Sequence, residues 1–329
     1  LGGSSAINAM IYMRGQARDY DGWRQMGLTG WGWDDVLPGF MKHEDHERPP
    51  NDLHGQGGEW RVEYPRLRWD ILDRVRDAAE EAGRIALSYF HGHREMDVRM
   101  KGGNSPVSAG DLAADTYLRK VLMTARPDYG GLSEESADIS QTRRQTAPRS
   151  FIVDPIDGTR AFIDGRDIWC VSIGIVEDEK PIAGVLECPA LRERYWASAG
   201  GGAFKDGRRL SVTGSRAQPV VAAPPKAEPQ LERAFPGGYI RRGHIPSLAY
   251  RIAMVADGAL DATLVKPRSH DWDIAAAVVI LNEAGARLTD MEGARVTLNG
   301  EDIVKPAMMA GSPRTLEAMF GVVTARAFG

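Results

Sequence analysis

The chain changes period at residue 70, and that change restricts its fold more than any other feature. From Asp70 onward Ile71, Leu72, Val75, Ala78, Ala79, Ala82, Ile85, Ala86, Tyr89 and Phe90 recur at steps of three and four, as on a helix with one apolar face. Such a face must be covered, so a packed domain starts here. A second helix is predicted over residues 112–125, entered from the turn-prone Lys101-Gly102-Gly103-Asn104-Ser105-Pro106 and ending before Pro127. Short β-type runs follow at 151–153, 170–176, 182–187 and 220–222. The Pro/Ala-rich stretch 219–236 reads as a connection between two halves of one domain, about 70–215 and 216–329. Further helices are expected over 247–256, over 274–284 with Gly285 as C-cap, and over 313–323. Interleaved helices and strands imply an α/β (α+β) domain of stacked layers.

Residues 1–69 follow no such period. Gly/Trp clusters at 30–33, Pro38-Gly39, Pro49-Pro50 and 55–58 punctuate short apolar runs, and five of the eight tryptophans (Trp23, Trp31, Trp33, Trp60, Trp69) fall here. The expectation is a loop-rich extension without a core of its own. The chain opens on Leu1 inside a glycine-rich motif, so the segment reads as the remnant of something longer.

Composition excludes several classes. A formal charge of -4 and a pI near 6.0 leave no basic surplus for a nucleic acid polymer. The longest apolar stretches, such as 275–281, fall short of the ~18 residues that span a membrane. Two cysteines, Cys170 and Cys188, are too few for a disulfide framework, which points to reduced thiols and a cytoplasmic protein.

The densest chemical signal is Asp154-Pro155-Ile156-Asp157-Gly158-Thr159, directly after the predicted strand 151–153. Two carboxylates with a proline stiffening the turn between them can converge beyond the strand end. With the Ile156 carbonyl between them they form an oxygen donor set suited to Mg²⁺. Gly158 allows close backbone approach, and a helix starting there would offer N–H groups to a phosphate. Alone, the same residues also describe an Asx-type turn with solvated carboxylates. Glu134-Glu135 and Asp273 sit beside predicted element boundaries, where each taken singly also fits a solvated charge or a helix cap.

Together, Glu134-Glu135-Ser136, Asp154-Pro155-Ile156-Asp157-Gly158-Thr159 and Trp272-Asp273-Ile274-Ala275-Ala276 with Glu283-Ala284-Gly285 resemble the three signature blocks of the inositol monophosphatase superfamily, metal-dependent, lithium-sensitive phosphatases. The likeness covers about residues 70–325. It implies a layered αβαβα sandwich, a homodimer, and a phosphate monoester hydrolase using about two or three Mg²⁺ ions per site. It further implies that Glu134, Asp154 and the Ile156 carbonyl hold one ion, and Asp154, Asp157 and Asp273 another. Thr159 and Asp111 would orient the attacking water, with Glu134 also in the catalytic set, and the Gly158 and Thr159 amides would hold phosphate oxygens. Asp111 alone reads equally as a helix N-terminal charge.

The resemblance fixes the reaction and leaves the phosphorylated metabolite open among inositol monophosphate, 3′(2′),5′-bisphosphate nucleotides, histidinol phosphate and sugar phosphates, the first two being the leading expectations. Arg160 after Thr159 is similar to the 3′(2′),5′-bisphosphate nucleotidase branch. Lys266 stands where inositol-specific members place an acid, and with Arg160 and Arg268 it suits a second anionic group; solvated rim charges are the alternative. Ser247 resembles a small ligand-contact position, the resemblance implies that Asp273 would also border the substrate, and His270 reads as a packed or rim histidine.

At the other end, Leu1-Gly2-Gly3-Ser4-Ser5-Ala6-Ile7-Asn8, Met13-Arg14-Gly15 and Asp19-Tyr20-Asp21-Gly22-Trp23 resemble a piece of a glucose-methanol-choline oxidoreductase, nearest to choline dehydrogenases, extending to about Ala79. The strand and G-x-G-x-x-G turn that would receive the flavin pyrophosphate are not in this sequence, so no flavin is expected. A flavin-dependent alcohol oxidoreductase and a non-catalytic interaction module are the rival readings. His43, His46 and His54 could form a metal site, although scattered loop histidines are more often unliganded.

Overall fold

A computed structural model describes residues 14–46, 50–62, 70–92, 94–101, 105–135, 141–212 and 216–328. The motif at 1–8 with Met13, the centre of the 101–106 turn and Ser136 lie outside them. The chain divides into two compact units, Leu1–Leu67 and Arg68–Gly329.

The first unit contains helices α1 (Ala17–Gln25) and α2 (Trp33–His43) and two short parallel strands, β1 (Glu44–His46) and β2 (Trp60–Val62). Short helices and strands thus punctuate the stretch expected as loops, and Tyr20 is the one buried hydrophobic side chain among its described residues. Pro38-Gly39, read as a break, lies inside α2, where Pro38 gives up one helical bond. Buried Tyr20 gathers Trp23, Trp33 and Phe40 at ring distances of 5.3, 5.7 and 5.8 Å. A cluster built from a few large rings leaves no periodic stripe in the sequence.

The second unit begins with α3 (Asp70–Phe90), whose buried Ile71, Leu72, Val75, Ala78, Ala79, Ala82 and Ala86 are the predicted stripe. The hairpin β3 (Val98–Lys101) and β4 (Ser105–Ser108) leads into α4 (Ala109–Ala125). That helix starts three residues before the predicted Leu112, because the Ser108 hydroxyl accepts the Asp111 N–H and the Asp111 carboxylate answers the Ser108 N–H. Then come β5 (Gly130–Ser133), α5 (Gln141–Thr146), β6 (Ser150–Asp157), α6 (Thr159–Ile163), β7 (Cys170–Glu177), β8 (Lys180–Cys188), β9 (Glu193–Ser198), β10 (Gly202–Lys205) and β11 (Arg208–Arg209). These strands form one sheet in the order β11-β10-β9-β8-β7-β6-β5, antiparallel except for the β5–β6 pair.

The rest supplies β12 (Val220–Ala222), α7 (Glu228–Ala234), β13 (Ile240–Arg242), α8 (Leu248–Ala256), β14 (Ala262–Val265), β15 (Ser269–His270), α9 (Asp271–Glu283), β16 (Arg287–Asp290), β17 (Val304–Lys305), β18 (Met308–Gly311) and α10 (Pro313–Met319). A second sheet runs β13-β12-β14-β18-β16. The stretch 219–236, expected as a connection, holds β12 and α7, and the last helix stops at Met319 rather than 323.

Three apolar clusters define the layers. One joins α3 and α4 to one face of the large sheet through Phe151, Val171, Ile173, Ile175 and Val185. A second joins its other face to α8, α9 and the second sheet. A third closes α7 and α10 over the far side. The result is the αβαβα sandwich. Every residue of α9 from Ile274 to Leu281 is buried, as a helix between two sheets requires. Its close approach depends on Gly174 and Gly184: a Cβ there would come within 2.8 Å of Ala275 and 2.7 Å of Ala276. Among the described residues no helix is long and apolar enough to cross a membrane.

Candidate active site

The site grows from an irregularity at the end of β6. Asp154 pairs with Ser172 of β7 and Asp157 with Cys170, so three steps on one strand face two on the other. Side chains three apart on a regular strand point to opposite faces. The extra residue, beside a proline that cannot donate to the ladder, restores both carboxylates to the same neighbourhood. Both are buried, at 1% and 5% exposure, which removes the reading of a solvated turn even though Asp154 Oδ1 does accept the Ile156 N–H at 3.0 Å. Gly158 follows at φ 100°, and a Cβ there would sit 3.1 Å from the Ile168 carbonyl oxygen and 3.3 Å from Ser247 Cβ.

Asp273 enters from the first turn of α9, where its Oδ2 accepts the His270 N–H at 2.6 Å. It caps the helix and reaches the site at once. One carboxylate oxygen from each of Asp154, Asp157 and Asp273 lies within 4.8 Å of the others. Burial, reinforced by Glu134, Asp157 and Asp273, pushes Asp154 well above the usual carboxylate range. Burial raises Asp157 to about 6 against donation from Ser247 and the Ala249 and Leu248 amides. Asp273 rises to about 8 through burial and the Asp157 charge. Like charges crowded this way are costly without a cation, and an all-oxygen donor set fits Mg²⁺ or a similar hard ion. These residues therefore could bind a metal.

Glu134 is outside that three-residue grouping, but its charge acts on Asp111, Asp154, Asp157 and Asp273. Its Oε1 stands 3.5 Å from Lys101 Nζ, which also contacts Glu135. Glu135 is raised to about 7, burial outweighing Lys101. Thr159 Oγ1 lies 3.1 Å from Asp111 Oδ1 and 3.0 Å from the Ile156 carbonyl oxygen. Asp111 is fully buried, and desolvation lifts it to about 6 despite bonds from Ser108 and Thr159. It is thus both the helix-cap acid and a partner of Thr159.

The flanking residues divide. Ser247, expected as a ligand contact, is fully buried; its hydroxyl donates to Asp157 while accepting the Tyr250 N–H at 3.1 Å. Arg160 and Lys266 are exposed, and the Lys266 charge acts on both Asp273 and His244. His270 stacks on Trp272 at 4.5 Å. Two cations escaped sequence reasoning. Lys101 is visible only as part of a turn signal, and Arg251 is an isolated charge in an apolar helix. Arg251 is largely enclosed, its Nε bonded to nothing; burial lowers its pKa while Asp157 opposes, and with Arg166 and Lys266 it depresses His244, which burial already lowers.

Comparisons with known proteins agree with this geometry. Residues 70–323 match the inositol monophosphatase family model, and residues 1–102 match the GMC oxidoreductase model, the two overlapping on α3. The 3′(2′),5′-bisphosphate nucleotidase CysQ of Aggregatibacter actinomycetemcomitans is 30% identical over 75% of this chain and 94% of its own length. The inositol-1-monophosphatase of Mesorhizobium japonicum is 32% identical over 75% and 98%. The crystal structure of the extragenic suppressor protein suhB from Bartonella henselae, 28% identical, superposes with a TM-score of 0.67 over 77% of this chain and all of that one. Relatives that are phosphatases, a family model spanning most of the length, and an αβαβα sandwich with its acids gathered at the end of β6 lead to one assignment: the chain belongs to the inositol monophosphatase family of phosphatases.

Proposed function

We propose that the chain is a Mg²⁺-dependent, lithium-inhibited phosphate monoester hydrolase that prefers small metabolites carrying a second anionic group, such as 3′(2′),5′-bisphosphate nucleotides. The single observation that carries this reading is the juxtaposition of opposite charges: the buried Asp154, Asp157 and Asp273 with a basic band of Arg251, whose charge acts with that of Asp157, and Lys266, whose charge acts on Asp273. The carboxylates, with Glu134 and the Ile156 carbonyl, would hold the cations, and the basic band would receive the second anion.

When bound, the cations supply Lewis acidity toward water and the phosphate oxygens. Thr159, fixed between Asp111 and the Ile156 carbonyl, orients the attacking water and passes its proton to Asp111, whose value of about 6 suits a base working near neutrality. Ser247 and the Ala249 N–H (2.7 Å) hold Asp157 in one orientation. The Gly158 and Thr159 amides face the phosphate, and Arg160 and Lys266 border its leaving group. Homodimer assembly and a joined, oxidoreductase-like piece at residues 1–69 belong to the same reading; the overlap of the two family matches supports the latter.

Purified protein assayed on adenosine 3′,5′-bisphosphate, inositol 1-phosphate and histidinol phosphate, with and without Mg²⁺ and Li⁺, tests the proposal. Metal-dependent release, fastest from the bisphosphate, is expected; no release from any ester defeats it. Asp154→Asn should lower turnover on the order of 10³-fold, and near-normal turnover would exclude its role.

A further inference from the structure

We propose that the N-terminal unit holds a transition-metal site formed by Glu44, His46 and His54, taking Zn²⁺ or a similar borderline cation. The strand β1 sets Glu44 and His46 two residues apart, on one side of the backbone. His54 is held near them by hydrogen bonds made by residues 51–58. The His46 N–H donates to the Gly55 carbonyl at 3.0 Å, and the Gly58 N–H donates to the Glu44 carbonyl at 3.1 Å. Asn51 Oδ1 accepts the Leu53 and His54 N–H groups at 2.8 and 3.0 Å. A Cβ on Gly55 would lie 1.9 Å from the Met41 carbonyl oxygen, so only glycine allows the loop this close.

One ligand atom from each of the three side chains lies within 4.8 Å of the others. Metal–ligand bonds of ~2.0–2.1 Å at tetrahedral angles put ligand atoms about 3.3 Å apart. His54 Nδ1 already stands 3.0 and 3.2 Å from the two Glu44 oxygens, and the His46 and His54 rings are 4.7 Å apart and tilted by 41°. The carboxylate oxygens are differentiated. Oε2 accepts from Arg14 and from the Gly55 N–H at 3.0 Å, while Oε1 makes the shorter approach to His54. Outer donors that fix a ligating carboxylate in this way are characteristic of protein metal sites. Glu44 is fully buried, whereas His54 keeps 39% of its side chain exposed, leaving room for water to complete the coordination. Two imidazoles and one carboxylate favour Zn²⁺, Co²⁺ or Ni²⁺ over Mg²⁺, the opposite preference to the all-oxygen cluster.

The test uses the full chain, stripped with chelator and then saturated with Mg²⁺ to fill the oxygen sites. Titration with Co²⁺ should give one equivalent with intense visible d–d bands, displaced by Zn²⁺, in both wild type and Asp154→Asn. His46→Ala should weaken Zn²⁺ binding by roughly 10–100-fold or more with an unchanged far-UV CD spectrum. Should that variant misfold, zinc-edge X-ray absorption on wild type decides, through imidazole scattering from two histidines. Absence of tight binding in wild type, unchanged affinity in a folded His46→Ala, loss of binding in Asp154→Asn, or an oxygen-only zinc shell would each overturn the proposal.

Discussion

Asp273→Asn should make the metal-free protein more stable while removing its phosphatase activity. Burial and the Asp157 charge hold the Asp273 carboxyl at about 8, against an ordinary 3.8. Between those values the native state binds a proton that the unfolded chain releases. The stability tied to this group is therefore complete below about pH 4, falls as pH rises through the interval, and is lost above about pH 8. At 1.36 kcal/mol per pH unit the whole interval amounts to roughly 6 kcal/mol. Solvent reaching a side chain that is 21% exposed takes part of this, leaving about 2–3 kcal/mol. An asparagine keeps an oxygen to accept the His270 N–H, so the α9 cap survives. Urea unfolding of chelator-treated wild type and variant at pH 5 and pH 8.5 measures the difference. The variant should lead by about 2–3 kcal/mol at pH 8.5 and by less than half of that at pH 5. Mg²⁺ should then stabilise wild type more than the variant at pH 8.5. A variant less stable than wild type at pH 8.5 without metal, or a gap independent of pH, would refute the argument that unneutralised charge strains this site.

Ser108→Ala removes a cap and the 2.6 Å bond to Asp111, so it should cost about 1–2 kcal/mol; because that bond lowers Asp111, its loss should also move the acid limb of the kcat/KM profile upward from about pH 6. Arg251→Met should raise KM for adenosine 3′,5′-bisphosphate by roughly 10–100-fold, with a much smaller effect on inositol 1-phosphate, since a charged hydrogen bond contributes about 1.5–3 kcal/mol; equal effects on both esters would detach Arg251 from the second anion. Gly184→Val drives a side chain into the Ala276 backbone, 2.7 Å from the new Cβ, and should lower stability by about 3 kcal/mol or more in thermal unfolding.

What could be read from the letters follows from where each residue packs. The helix α3 was legible because an outer-layer helix buries one face, and its stripe is buried from Ile71 to Ala86 except for the half-buried Ile85. The strand β9 was not, since Glu193, Arg194 and Tyr195 mix polar and apolar residues on a strand whose partners lie on both sides. Asp154, Asp157 and Asp273 were legible together through their motifs, whereas Lys101 and Arg251 were not. A single cation acquires meaning only when tertiary folding buries it beside carboxylates, and no local pattern encodes that. Tyr20 and its rings stayed hidden for a related reason, a cluster too small to impose a period.

The acids also show why the motif needs its spacing. Asp154 and Asp157 would face opposite sides of a regular strand, and only the extra residue in the β6–β7 register unites them. Pro155 marks the spot because it has no ladder donor to lose there, and Gly158 follows because the turn at φ 100° must pass beside Ser247. Each of these departures weakens the sheet locally, and the buried acids add a repulsion that stability alone would not retain. Their concentration within six residues at the end of β6 is what separates a chemical site from a packing detail. The same logic gives the Asp273→Asn experiment its force: a residue whose removal relieves the fold while ending the reaction is retained for the reaction.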